Sequence, residues 1–274
     1  MSDLSNSQVW FITGACSGLG KSLLEAVLAE GSRAVATVRK PGALSDLQAK
    51  YKPMQLFVMT LDVTNPSQIE EAFRRTKEHF QRLDVVVNNA GYGLMGEIEA
   101  TPEDLARQQI EVLFWGPSIE VNPKGHGGRV LNISSAGGYS ANAILAFYSA
   151  GKFALEGFTQ AFTREMPPEW NIKGIIIEPG GFKTGPGAKF KNMVFKASAI
   201  GDVHKAAQAI IRIAREPDPP LRLQLGTDSW GIVNHRTNAT LKEQKKWAEL
   251  SHSTNLEGNG TGPEILEAIK EALD

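Results

Sequence analysis

The chain has almost no sulfur chemistry to offer. Cys16 is its single cysteine, so no disulfide can form within it. No apolar stretch reaches the roughly 18 residues that a membrane span needs. Neither sign of charge dominates: Lys and Arg number 29 against 30 Asp and Glu, a formal net charge of −1. Without a bulk basic field, nucleic acid and anionic membrane surfaces are excluded as partners. The opening residues, MSDLSNSQVWFITG, lack a basic segment followed by an apolar run, so no secretory signal is read there. In that setting the glycosylation-like triplets at Asn132, Asn238 and Asn259 are read as chance matches. His79, His126, His204, His235 and His252 form no ligand-spaced cluster, so no metal is expected. Repeats, low-complexity tracts and domain linkers are absent. These absences describe a soluble, cytoplasmic protein.

What is present is enough for a core. With 274 residues, 42% of them hydrophobic, one large α/β domain over 1–274 is expected rather than two small ones. Short apolar runs alternate with helical spacing along the chain. Strands are read at Val9–Thr13, Ala34–Val38, Leu56–Leu61, Val85–Val87, Val130–Ile133, Ile175–Ile177 and Leu221–Leu225. Helices are read at Lys21–Glu30, at Pro66–Phe80 with Asn65 as cap, and from Thr101-Pro102 to about Trp115. Further helices run from Tyr148 to about Met166, over Asp202–Arg215 and from Thr227 to about Leu250. Fully apolar strands alternating with helices imply a doubly wound parallel sheet covered on both faces, a Rossmann-type fold. A C-terminal extension, about 251–274, ends in a short helical pattern over Glu264–Leu273.

The segment Arg129–Glu156 carries the chemistry. An apolar strand breaks at Ser134-Ser135-Ala136-Gly137-Gly138 and resumes as a helix bearing Tyr148 and Lys152. Four positions apart, those two share one helical face. Ser135 can hold a carbonyl oxygen, Tyr148 can give or take a proton, and the charge on Lys152 is expected to lower the tyrosine pKa.

A second segment fits a nucleotide. The first strand runs into Gly14-Ala15-Cys16-Ser17-Gly18-Leu19-Gly20 and then a helix. Such glycines permit a tight turn and close approach of a pyrophosphate to the helix N-terminus. The second strand closes on Arg39 and Lys40, with no acid. A carboxylate there would accept a ribose 2′-hydroxyl, whereas cations accommodate a 2′-phosphate, which favours NADP(H).

Together these residues resemble the short-chain dehydrogenase/reductase family over about Val9–Leu250, most of all its fungal NADP-dependent members. The resemblance rests on Thr13-Gly14-x-x-x-Gly18-x-Gly20, Asp62, Asn88-Asn89-Ala90-Gly91, Ser135, Tyr148-x-x-x-Lys152 and Pro179-Gly180, in the family's order. It implies that Gly14, Ser17, Gly18, Leu19 and Gly20 carry the pyrophosphate turn. Asp62 and Val63 would meet the adenine, and Arg39 the 2′-phosphate. Asn88, Asn89, Ala90 and Gly91 would line the cofactor and brace the sheet. Pro179, Gly180, Phe182 and Thr184 would flank the nicotinamide. Ser135 would orient the carbonyl, Tyr148 would be general acid or base, and Lys152 would hold the nicotinamide ribose.

Two departures stand out. Leu113 occupies the position where many members carry an asparagine that relays protons through water to the lysine, and leucine cannot hydrogen-bond. The segment 116–129 is also short, with residues missing between Pro117 and Val121 relative to the fungal-like members. A helix from Pro102 to about Ile119 would still span roughly 27 Å, against about 17–20 Å for a sheet of ordinary strands. The crossover can therefore close. The trimmed end is one that commonly packs on a partner subunit in the family, which leaves a homo-oligomer open.

The residues are thus consistent with an NADP(H)-dependent oxidoreductase interconverting a ketone and a secondary alcohol. They are also consistent with a cofactor-binding protein without redox turnover, or with a non-redox isomerase or cyclase on the same fold. The loop at about 184–200, with Phe190, Met193, Val194 and Phe195, is expected to close over a hydrophobic small-molecule substrate. Tyr92, Gly93 and Leu94 would form the opposite wall.

Overall fold

A computed structural model describes residues 7–115, 127–182 and 200–255, with residues 265, 267, 269 and 270. The strands are β1 (Val9–Ile12), β2 (Arg33–Val38), β3 (Leu56–Thr60), β4 (Val85–Asn88), β5 (Gly128–Ile133), β6 (Ile172–Pro179) and β7 (Arg222–Leu225). They form a seven-stranded sheet in the order β3-β2-β1-β4-β5-β6-β7. All pairings are parallel. The helices are α1 (Gly18–Ala29), α2 (Ser45–Lys50), α3 (Pro66–Phe80), α4 (Glu103–Ile110), α5 (Ala146–Glu165), α6 (Val203–Ala214), α7 (Thr227–Lys246) and α8 (Ala248–His252). The chain divides into two units, Met1–Val233 and Asn234–Asp274. Every site residue named above belongs to the first.

Alternation along the strands sends successive side chains to opposite faces. On one face Trp10, Ile12, Ala34, Ala36, Val85, Val87, Leu131, Ile133, Ile175 and Ile177 pack with apolar residues of α1 and α6. On the other, Phe11, Val35, Met59 and Val86 pack with Ile69, Ala72 and Phe80 of α3. Two buried faces explain why these strands read as unbroken apolar runs. The Asn65 side chain accepts from Gln68 N at 3.1 Å and Pro66 follows it, so α3 begins where its cap predicts.

A polar seam crosses this apolar interior. The register pairs Asn88 with Asn132, and Asn88 Nδ2 donates to Asn132 Oδ1 at 2.8 Å. Asn132 Nδ2 then donates to Thr159 Oγ1 at 2.7 Å. The seam ties β4 and β5 to α5 at a fixed height, with each buried amide partnered. It sets how far Tyr148 and Lys152, earlier on α5, stand beyond the end of β5.

Three local readings need correction. Helix α2 follows the Arg39–Lys40 turn and has one fully buried apolar anchor, Leu47, so little periodicity marked it. The crossover helix is α-helical only to Ile110 and widens to a π-helix over Glu111–Trp115. The last long helix breaks at Trp247 into α7 and α8. The shortened segment falls at 116–126, and Thr184 with most of the expected substrate loop falls at 183–199. Both lie outside the described residues, as does most of the final helical pattern. Its described positions Ile265, Glu267, Ile269 and Lys270 are helical. Among the described residues no helix is long and apolar enough to cross a membrane, and no cluster of potential metal ligands is present.

Candidate active site

The strand order reverses between β1 and β4, where helices leave for opposite faces and a crevice opens at the carboxyl ends. Thr13 holds that fork. Its hydroxyl donates to Val87 O at 3.3 Å and accepts from Asn89 N and Ala90 N, both at 2.9 Å. Asn89 Nδ2 donates to Thr13 O at 2.8 Å and Gly14 O at 3.2 Å. A Cβ on Gly20 would overlap that amide, and one on Gly14 would lie 2.9 Å from Ala90 Cα. Glycine is therefore required for α1 to begin so close to the sheet.

Gly14 and Gly18 have φ of +64° and +55°, left-handed values that suit glycine. Ser17 precedes α1 without capping it by its side chain. The first-turn N–H groups of α1 thus keep the anion-binding character of a helix N-terminus. Leu19 is partly buried against the core. Arg39 and Lys40 are exposed beyond β2. Asp62 accepts from Thr64 N at 3.0 Å and Thr64 Oγ1 at 2.8 Å, which holds its carboxyl below the usual range. Val63 points into the core, 8% exposed. At the far side, a Cβ on Gly180 would overlap the Asp228 carboxylate, whose Oδ2 accepts from Gly181 N at 2.6 Å. Phe182 bridges to Gly201 and packs on the core. These features fit a bound dinucleotide: a glycine turn, an uncapped helix start and a pinned Pro179–Gly180 corner.

The reactive groups meet where β5 ends. Its last residues engage α5 in sequence. Ile133 O accepts from Lys152 Nζ at 2.6 Å. Ser134 Oγ donates to Glu156 Oε1 at 2.5 Å. Ser135 hydrogen-bonds Tyr148, and its Oγ also accepts from Gly137 N at 3.1 Å. A Cβ on Gly137 would lie 3.4 Å from the Tyr148 ring and 3.5 Å from Ser135 Oγ, so this turn packs directly beside both side chains.

Burial pushes the Tyr148 hydroxyl above its ordinary pKa, opposed by the Ser135 hydrogen bond. The net direction is set by burial and is opposite to the lowering expected from Lys152. Lys152 Nζ stands 5.9 Å from the Tyr148 ring centroid and donates to Ile133 O. Lys152 itself is 5% exposed. Burial lowers its pKa to about 8, against the opposing charge of Glu156.

The family model for short chain dehydrogenases matches residues 8–193. The chain is a short-chain dehydrogenase/reductase. It is 33% identical to an uncharacterized oxidoreductase of Schizosaccharomyces pombe, over 96% of each chain. A short-chain dehydrogenase from Streptomyces avermitilis superposes with a TM-score of 0.84 at 33% identity, covering 93% of this chain and 100% of that one. A short-chain dehydrogenase from Burkholderia cenocepacia, solved in complex with NADP, superposes at 0.70 with 25% identity, covering 89% and 98%.

Within this short-chain dehydrogenase/reductase, Leu113 is 1% exposed. It fills the gap between two glycines: a Cβ on Gly91 would lie 3.0 Å from its Cδ2, and one on Gly151 3.1 Å from its Cβ. The same Gly91 point is 3.9 Å from Lys152 Nζ. An apolar side chain therefore flanks the ammonium where the resemblance leads one to expect an amide. The expected wall at Tyr92–Leu94 is held by Gln109, which donates to Tyr92 O at 2.6 Å and accepts from Leu94 N at 2.7 Å.

Several working residues were not singled out from the sequence. Thr13 stood in a quoted motif without a role. Glu156, Glu178, Arg222 and Asp228 act across strands that only the sheet order brings together. The spacing of Tyr148, Lys152 and Glu156, each one turn from the next, was the signal available for Glu156. Two surface hollows, about 620 Å³ between α1 and α6 and about 600 Å³ at the amino ends of the strands, lie away from this site.

Gly138 tests the packing. A Cβ there would overlap both Glu156 Oε1 and Ser134 Oγ and lie 3.0 Å from Lys152 Cβ. Gly138→Ala is expected to cost about 1–3 kcal/mol by overpacking, read as a lower urea midpoint with an unchanged slope. An unchanged midpoint would show that α5 can retreat from β5 freely.

Proposed function

We propose that the protein is an NADP(H)-dependent oxidoreductase interconverting a ketone and a secondary alcohol on a hydrophobic small molecule. The observation that carries this reading is the convergence of Ser135, Tyr148 and Lys152 at the end of β5, beside the glycine crevice. NADP(H) is supported by the paired cations Arg39 and Lys40 after β2, and by the NADP held by the Burkholderia cenocepacia relative. When bound, the nicotinamide exchanges hydride with the carbonyl carbon.

The chain's own residues handle the oxygen and its proton. Ser135 Oγ donates to the carbonyl oxygen and fixes its position. The raised pKa of Tyr148 keeps its hydroxyl protonated near neutral pH, ready to donate to that oxygen as negative charge builds on it. Lys152 contributes positive charge at the strand end, stabilising the phenolate that the transfer leaves behind. Gln109 fixes the Tyr92–Leu94 loop as one wall. Beside it Ile144 is 48% exposed and held at φ +63°, strained for a β-branched residue. Ile144 O accepts from Gly96 N at 3.0 Å. These exposed apolar groups support a hydrophobic substrate.

A second reading, cofactor binding without redox turnover, is favoured by one observation. Leu113 is packed where a polar relay to Lys152 would otherwise run.

Tyr148→Phe is expected to lower carbonyl reduction at least about 100-fold, within the usual range for a lost general acid. NADPH affinity, followed by nicotinamide fluorescence, should stay within a few-fold. Retained turnover would remove Tyr148 from the mechanism. Separately, Arg39→Ala with Lys40→Ala should weaken NADPH binding while leaving NADH binding nearly unchanged. Equal loss for both cofactors would mean that these cations do not read a 2′-phosphate.

A further inference from the structure

Behind Lys152 lies a buried charge network that the reaction as described does not use. Tyr148, Lys152 and Glu156 are successive members of one face of α5. Glu156 is 3% exposed and Glu178, on β6, is fully buried. Arg222, on β7, donates to Glu156 Oε2 and, at 3.0 Å, to Glu178 Oε1. Gln224 Nε2 donates to the other oxygen of Glu178. The Arg222 guanidinium lies 5.6 Å from the Tyr139 ring centroid.

Charge counting gives this network a direction. With both carboxylates ionised, Arg222 faces two negative charges, and a second cation balances the group. Among the described residues that cation is Lys152, one turn before Glu156. A buried ammonium without a counter-charge reverts to the neutral amine. On its other flank Lys152 Nζ approaches Gly91, where a Cβ would lie 3.9 Å from it, and Gly91 in turn packs beside Leu113, so neither offers a charge.

We propose that Glu156 is a positioning residue for the reaction. Its carboxylate, anchored by Ser134 and Arg222, keeps Lys152 cationic and holds the end of β5 against α5. This role rests on the oxidoreductase reading of Tyr148 and Lys152. The strand contacts make the coupling direct, because Ile133, Ser134 and Ser135 engage Lys152, Glu156 and Tyr148 in turn. Disturbing the middle contact therefore reaches both neighbours.

The groups that set the charge of Glu156 come from four elements. Lys152 is on its own helix, with Tyr148 two turns away. Glu178 faces it from β6 and Arg222 from β7. The end of β5 contributes the Ser134 hydroxyl, and the 136–138 turn contributes no charge. Burial and the Glu178 charge push the Glu156 carboxyl well above its usual range, while Ser134 and Arg222 pull it down. Its ionisation thus depends on partners that substitution can remove.

The test reads Lys152 directly in the full-length chain, with no substrate or cofactor. Lysine side chains labelled with ¹³C are titrated by NMR, and the Lys152 signal is assigned by its loss in Lys152→Met. In Glu156→Gln the Lys152 titration is expected to move to lower pH by about one unit or more, a tenfold loss of proton affinity. The alkaline limb of kcat for carbonyl reduction should move with it. Ser134→Ala, which leaves every charge in place, should move it the same way by less, and it carries the test if Glu156→Gln does not fold. An unmoved Lys152 titration in either folded variant overturns the proposal, as does a moved titration with an unmoved kcat limb. Failure of every carbonyl substrate with a displaced Lys152 signal would instead count against the oxidoreductase reading and uphold the electrostatic link.

Discussion

Lys152 carries an ammonium that has been taken out of water, and its one short hydrogen bond goes to the carbonyl of Ile133 at 2.6 Å. Desolvation works against that charge, so the surrounding structure must supply what water no longer does. The end of β5 provides a carbonyl, and the next turn of α5 provides Glu156 with its partners on β6 and β7. The site is therefore the end of a polar column that runs through the carboxyl edge of the sheet. Its geometry depends on α5 staying close against β5, which is why Gly138 occupies the turn between them.

The second constraint is the fork at Thr13. One hydroxyl bonds Val87, Asn89 and Ala90 and so joins the ends of β1 and β4. The crevice for a dinucleotide opens on one side of this fork, and the β5–α5 site stands on the next strand over. Asn88, Asn132 and Thr159 connect the two through buried hydrogen bonds. Cofactor crevice and proton-transfer residues are thus parts of one braced edge, and a change in strand spacing at either would be felt at the other.

Much of this edge was legible in the sequence because it is written in local patterns. Apolar runs such as Val85–Val87 name buried parallel strands, and Asn65-Pro66 names a helix start. The glycine turn between β1 and α1 names an anion site. The face shared by Tyr148 and Lys152 follows from helical spacing alone. What stayed hidden depends on contacts distant in sequence. Arg222 and Glu178 look like ordinary surface charges until β6 and β7 pair and bring them to Glu156. The sign of the Tyr148 shift depends on distant contacts in the same way. A lysine one turn away suggests a lowered pKa, but burial by neighbouring elements outweighs it and the ammonium is turned to Ile133. The widening of the crossover helix at Glu111–Trp115 also left no periodic trace.

Redox turnover at this edge, as opposed to nucleotide holding alone, is read by following NADPH loss and alcohol formation together, using the purified full-length chain and a panel of hydrophobic ketones. One alcohol is expected for each NADPH oxidised. Tight NADPH binding with no oxidation across the panel would contradict it, and so would a rearranged product formed with the NADPH intact.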